Sequence, residues 1–154
     1  MKAFSFPLES LRTLRKQREQ AAQQRYARAL VLCDGAARVL QLAEAEMKAG
    51  HAVLVGELET GTTADRIIHL RTWCSVLEMR RNECAAAYAE ARRAAHDAFR
   101  LMTAAARERE ALDRFHDKSH TAWQRAFHAD EQKMFDELAV QRQAAPTLEK
   151  TRLN

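Results

Sequence analysis

Apolar and small residues recur at every third and fourth position along almost the whole chain, the spacing that places them on one face of an α-helix. Tyr26, Cys33, Leu40, Met47 and Leu54 are spaced by seven, and Ala22, Ala29, Ala36, Ala43 and Gly50 form a second series offset by three. These are the a and d positions of a coiled-coil stripe. Gly35 follows Asp34 in what would otherwise read as a turn, but the register runs through it undisturbed. The weakest stretch is Ala49 to Gly56, where glycine and β-branched residues could end the helix early.

The pattern breaks once, at "GELETGTTADRIIHL", residues Gly56 to Leu70. There Thr62, with Asp65 three residues on, has the form of a capping box that opens a second helix. Ile67, Cys74, Tyr88, Ala95 and Met102 then share one heptad series, interrupted by Arg81. Leu70, Leu77, Cys84, Ala91, Ala98, Ala105 and Leu112 share its companion. Beyond Leu112 the stripe is expected to slip by one stutter, continuing through Trp123, Phe127, Met134 and Leu138.

The expected fold is therefore all-α: a two-helix antiparallel coiled-coil hairpin with an overhanging C-terminal helix. It forms a single domain over residues 1–154, with helix 1 at about 7–58, a tip loop at about 59–62, helix 2 at about 63–142 and a frayed tail at 143–154. Pro7 suits the first turn of helix 1, where its missing N–H costs nothing. A tip centred near Gly61 pairs Tyr88 with Cys33 to Gly35, Tyr26 with Ala95 and Met102 with Ala22. Each bulky residue then meets a small one, as close interdigitation requires. At 1.5 Å per residue the second helix overhangs the first by roughly 40 Å. The overhang carries Trp123, Phe127, Met134, Phe135 and Leu138, and an exposed apolar stripe of that kind marks an interface.

Composition sharpens this picture. The chain has 154 residues with only 4 Gly and 2 Pro, and an apolar fraction of 47% padded by alanine, which suits a thin seam better than a globular core. No apolar run approaches the ~20 residues of a membrane span, and Glu9 and Arg12 interrupt the N-terminus before a signal-peptide core can form. The expected location is cytoplasmic. Three cysteines at spacings that match no metal or redox motif fit reduced thiols on the seam. The net charge is only +4, but Arg12, Arg15, Lys16, Arg18, Arg25 and Arg28 cluster against the single acid Glu19. A solvated helix face accounts for such a run, and docking onto an acidic protein surface is its functional reading. No aromatic platform for base stacking and no helix-turn-helix or zinc-finger spacing accompanies it, so nucleic acid is not the expected partner.

Catalytic chemistry is hard to build from these residues. There is no Ser-His-Asp or Cys-His pattern, phosphate loop or paired-carboxylate site. His116 and His120 stand four apart with Asp113 a turn earlier, which is the spacing of a metal clip. Nothing opposite completes a site, and solvated histidines are the simpler reading. Neither an enzyme activity nor a metal or cofactor is expected.

Three segments resemble the FliJ family of type III protein export, which spans flagellar export proteins and the stalk proteins of virulence injectisomes. "FPLESLRTLRKQREQAA" is similar to the family's opening, "GTTADRIIHLRTW" to its tip and second-helix start, and "DEQKMFDELAVQR" to its closing signature. The resemblance implies a non-enzymatic stalk and chaperone escort. The end carrying both termini would insert into a hexameric export ATPase (FliI-like), and the part toward the tip would reach a membrane export gate protein (FlhA-like). Export chaperones would be further partners, and association with the inner membrane would be peripheral, through partners only. By position, Trp73 and Leu77 match the residues used toward the gate, whereas Glu46 and Gly50 stand where a familiar branch has tyrosines. Asp136, Glu137 and Leu138 fall in the closing signature. With Trp123, Phe127 and Met134 of the overhang, and Arg12, Arg15 and Arg18 near the same end, they form the expected ATPase-binding set. The alternatives are the equivalent injectisome stalk, a structural homodimeric coiled coil, and a basic nucleic-acid-binding helix.

Overall fold

A computed structural model of the chain describes residues 3–149, and the side chains of 3–142. It contains two long helices packed against each other, α1 (Glu9–Thr60) and α2 (Ala64–Glu149), and no strand among the described residues. Helix α1 passes without interruption through Gly35, Gly50 and Gly56. Helix α2 extends past the expected end at residue 142, through Pro146 to Glu149; residues 150–154 of the expected tail lie outside the described residues.

Local chemistry sets the helix ends. Leu8 C=O accepts the first helical hydrogen bond, from Arg12 N–H at 2.9 Å. Leu8 is thus the cap, and Pro7 lies in the turn before the helix rather than in its first turn. At the other end of α1, Gly61 takes φ +81°, the left-handed conformation that closes a helix and that glycine adopts without a Cβ clash. The loop is Gly61 to Thr63. Thr63 C=O accepts from Ile67 N–H at 3.2 Å, so the cap of α2 is Thr63 and not the expected Thr62. Asp65 still lies in the first turn, near the positive end of the helix dipole.

The chain divides into two units, one made of the residues up to Lys16 with those from Arg107 onward, the other of Gln17–Ala106. In the Gln17–Ala106 unit the buried residues are few and mostly small: Ala43, Gly50, Leu70, Cys74, Leu77 and Ala95. They sit on the a and d series, so the heptad pattern does mark the seam. Burying a leucine such as Leu70 or Leu77 contributes roughly 1.5–3 kcal/mol. The register differs from the expected one by about a helical turn at Tyr26, which meets the ring of Phe99 (centroids 5.4 Å apart) rather than Ala95. Likewise a Cβ placed at Gly35 would meet nothing within 4 Å, so Tyr88 does not fill space there. One cause is the turn. The loop, Gly61 to Thr63, is centred on Thr62 rather than Gly61, which by itself moves each pairing by two residues.

In the unit that carries the chain ends, the segment before α1 folds onto α2. Phe6 is buried, its ring 5.8 Å from Phe115 and 5.0 Å from His116. Phe4 stands edge-on to His116 and His120 and 5.8 Å from Trp123. Arg109, His116 and Trp123 are half-buried at unbroken heptad spacing, whereas the companion series of Leu112 shifts by one residue, through His120 to Phe127, with Ala126 exposed. The slip expected after Leu112 occurs on that series and not at Trp123.

Candidate partner-binding surfaces

Two surfaces correspond to the residues singled out from sequence, one in each unit.

Near the tip, both helices line an open groove of about 470 Å³. Its walls include Glu46, Val53, Trp73 and Arg80, and its floor Gly50, Leu70 and Leu77. Gly50 makes this geometry possible, because a Cβ there would stand 2.6 Å from Leu77 Cδ1 and 3.8 Å from Trp73 Nε1. With no side chain at residue 50, Leu77 Cδ1 lies against the backbone of α1 there. Trp73 is 55% exposed whereas Leu77 is 4% exposed, so Trp73 offers contact area and Leu77 shapes the floor. Arg80 donates to Glu46 at 2.9 Å across the groove, a pair that seam periodicity alone would not reveal. On the opposite flank His51 and Glu78 stand 3.0 Å apart.

The second surface belongs to the unit with the chain ends. Arg12 Nε donates to Asp113 at 2.8 Å and Arg109 donates to the same carboxylate at 2.6 Å. The hydrogen bond from Arg12, joined by that from Arg109, holds the Asp113 carboxyl below the usual aspartate range, and Asp113 in turn raises the Arg12 guanidinium. Arg15 pairs with Glu108. Two of the three arginines expected to face a partner are thus paired within the chain. Arg18 lies in the other unit, beside Arg25 in a groove with Ala21, Ala22, Ala98 and Leu101.

Of the apolar residues expected to overhang, Trp123 has partners after all: it contacts Phe4 and stacks on His120, and Phe127 packs on it with centroids 5.3 Å apart. The residues from His128 to Arg142 are all exposed. Met134, Phe135, Leu138 and Val140 are their large apolar members, with Phe135 at 70% exposure. Asp136 and Glu137 are exposed among them. Phe127, Met134, Asp130, Glu131, Lys133 and Glu137 border an open, shallow depression along the surface of α2, with a mostly acidic rim.

His116 and His120 lie parallel, 6.2 Å apart, with Phe4 edge-on to both rings. Among the described residues no three His, Cys, Asp or Glu side chains converge as a metal would need. Nor is any helix among them long and apolar enough to cross a membrane.

No curated protein matches the chain in sequence. In fold, the chain is similar to the solved structure of a protein described as a YscO homologue, CT670 from Chlamydia trachomatis. That match has a TM-score of 0.63 at 19% identity and covers 97% of this chain and 99% of the other. The family described as flagellar FliJ protein matches residues 4–146, an interval that takes in both surfaces. The chain belongs to the FliJ family.

Proposed function

We propose that this protein is a non-enzymatic stalk and chaperone escort in a type III protein export apparatus, working in flagellar assembly. The observation that carries the reading is the family match over residues 4–146. In this reading the exposed stripe of Met134, Phe135, Leu138 and Val140, with Asp136 and Glu137, engages a hexameric export ATPase. Trp123 and Phe127 brace its base through Phe4. Arg12 and Arg15, held by Asp113 and Glu108, stiffen the unit with the chain ends rather than meet the ATPase directly. The groove beside Trp73 receives the export gate protein; a large, half-exposed indole over a concave floor suits a binding hot spot. Export chaperones are further partners, and contact with the membrane is peripheral, through the gate.

The test has two arms. The protein is expected to co-purify with the export ATPase encoded in the same genome. Trp73→Ala is expected to weaken binding to the gate protein's cytoplasmic part by about tenfold or more, a loss of at least ~1.4 kcal/mol, while ATPase binding persists. Unchanged gate affinity in Trp73→Ala would remove the groove from the reading. A deletion strain that keeps its motility but loses effector secretion would assign the protein to an injectisome instead.

A further inference from the structure

Both flanks of the Gln17–Ala106 unit expose large apolar residues. One mixes Val55, Leu58 and Ile68 with Asp34, Gln41, Lys48, His51, Glu78 and Asn82. The other exposes Leu32 (69%), Leu42 (67%), Val39, Val53 and Trp73. Between these lie Gly35, Ala87 and Ala94, all exposed and nearly flat. A contiguous apolar strip of this kind on a coiled coil needs a cover.

The register of the apolar flank follows from the Glu46–Arg80 pair at 2.9 Å and from Val53 and Trp73, one heptad nearer the tip, which line the same groove. One heptad the other way, Val39 lies level with Ala87; two heptads along, Leu32 lies level with Ala94. Large residues therefore stand on α1 and small ones opposite them on α2. Charge divides in the same way. Arg28 edges the strip on α1, with Arg38 farther out, and Glu83, Glu90 and Asp97 edge it on α2, with Arg93 and Arg100 farther out. Arg28, Arg38, Glu83 and Asp97 make no ion pair among the described residues, and Glu90 pairs only with the exposed Arg93.

We infer that this flank is the interface of a homodimer, a four-helix bundle whose two-fold axis runs parallel to the helices. That axis lays α1 of one copy over α2 of the second. Leu32 and Val39 then meet Ala94 and Ala87 of the second copy, large against small, as bundle cores pack. Arg28 meets Asp97. Arg38 reaches Glu90 across Gly35, where open space lies above the backbone. Glu46 and Arg80 join their counterparts in a four-charge cluster, which fixes the register as polar core groups do in coiled coils. A two-fold axis perpendicular to the helices would instead lay α1 over α1 and α2 over α2, so that the arginines of α1 could not meet the acids of α2. The flank is thus complementary to itself in one orientation. The groove beside Trp73 lies inside this interface, so dimerisation and any partner at Trp73 exclude one another. The dimer stands whether or not the proposed function does.

Analytical ultracentrifugation of the full chain tests it, with circular dichroism as the check of helicity. The wild type is expected to be dimeric at tens of micromolar, and Leu32→Glu with Val39→Glu to be helical and monomeric. Arg28→Glu with Arg38→Glu should weaken the dimer by at least about tenfold. Adding Glu90→Arg and Asp97→Arg to that variant should restore it. A monomeric wild type at these concentrations overturns the proposal. So does a dimer that survives Leu32→Glu with Val39→Glu but is lost with Phe135→Glu and Leu138→Glu, which would place the contact on the exposed end of α2. Failure of the four-fold charge swap to restore the dimer overturns the orientation on which the proposal rests.

Discussion

Gly50 of α1 and Leu77 of α2 lie so close that a methyl group on residue 50 would come within 2.6 Å of Leu77 Cδ1. Gly56, one and a half turns later, would meet nothing within 4 Å. Both glycines are helical, so alanine at either gains helix propensity of about 1 kcal/mol. At Gly50 that gain is opposed by overpacking against a buried leucine, which costs about 1–3 kcal/mol. Thermal melts should therefore show Gly56→Ala raising the melting temperature and Gly50→Ala lowering it. Equal shifts in the same direction would mean that the seam at Gly50 is looser than described.

Tyr26 and Phe99 report the register. Their rings lie 5.4 Å apart at 55°, a tilted aromatic contact. Such pairs couple by about 0.5–1.5 kcal/mol beyond their buried area. A double-mutant cycle with Tyr26→Ala and Phe99→Ala should recover that coupling from denaturant unfolding. A cycle pairing Tyr26→Ala with Ala95→Gly should show much less.

Seam, sheetless architecture and continuity through Gly35 are all legible in the heptads, because a and d spacing is a direct record of which face is covered. The exact pairing is not. Gly61 looks like the middle of the turn, yet a left-handed glycine ends its own helix and moves the loop centre to Thr62. The aromatic packing of Phe4 and Phe6 was also hidden, since both precede α1 and lie outside any period. Phe4 and Phe6 flanking Ser5 just before Pro7, together with ring residues His116, His120 and Trp123 down one face of α2, was the available signal. It was enough to deny Trp123 the free surface that periodicity alone assigned to it. The Trp73 groove was half legible: the indole was found from its position, whereas Glu46–Arg80 needed the register.

Asp113 gives the unit with the chain ends a dependence on acid. Its folded pKa is lowered, first by the hydrogen bond from Arg12. A carboxyl depressed on folding contributes stability that is fully present above its unfolded pKa and is lost as pH falls through the folded one. The loss thus begins in the ordinary aspartate range and completes below it. Because both partners are near the surface, the effect is modest and screened by salt. Carboxyl NMR titration should place Asp113 below the other aspartates, and Arg12→Ala should return it toward them. Above pH 6, Asp113→Asn should melt below the wild type, with the gap closing in acid.

The exposed end of α2 offers the strongest test of the stalk reading. Phe127 packs on Trp123, and Trp123 on Phe4, so a cut made before Phe127 would strip a ring from a packed cluster. From His128 to Arg142 every residue is exposed, and removing them costs no buried contact seen in the described chain. Apolar surface left in water is unfavourable by roughly 25 cal/mol per Å², so Met134, Phe135, Leu138 and Val140 have reason to be covered by a partner. Deleting His128 to Asn154 should leave both helices and the Phe4–Trp123 contact in place. Circular dichroism and tryptophan fluorescence would verify this. The truncated protein should no longer stimulate ATP hydrolysis by the export ATPase of the same genome, whereas Trp73→Ala should stimulate it as the wild type does. Met134→Ser with Leu138→Ser, which keeps the helix at full length, should lose most of the stimulation. Full stimulation by the truncated chain would show that this end does not engage the ATPase, and the exposed stripe would need another partner.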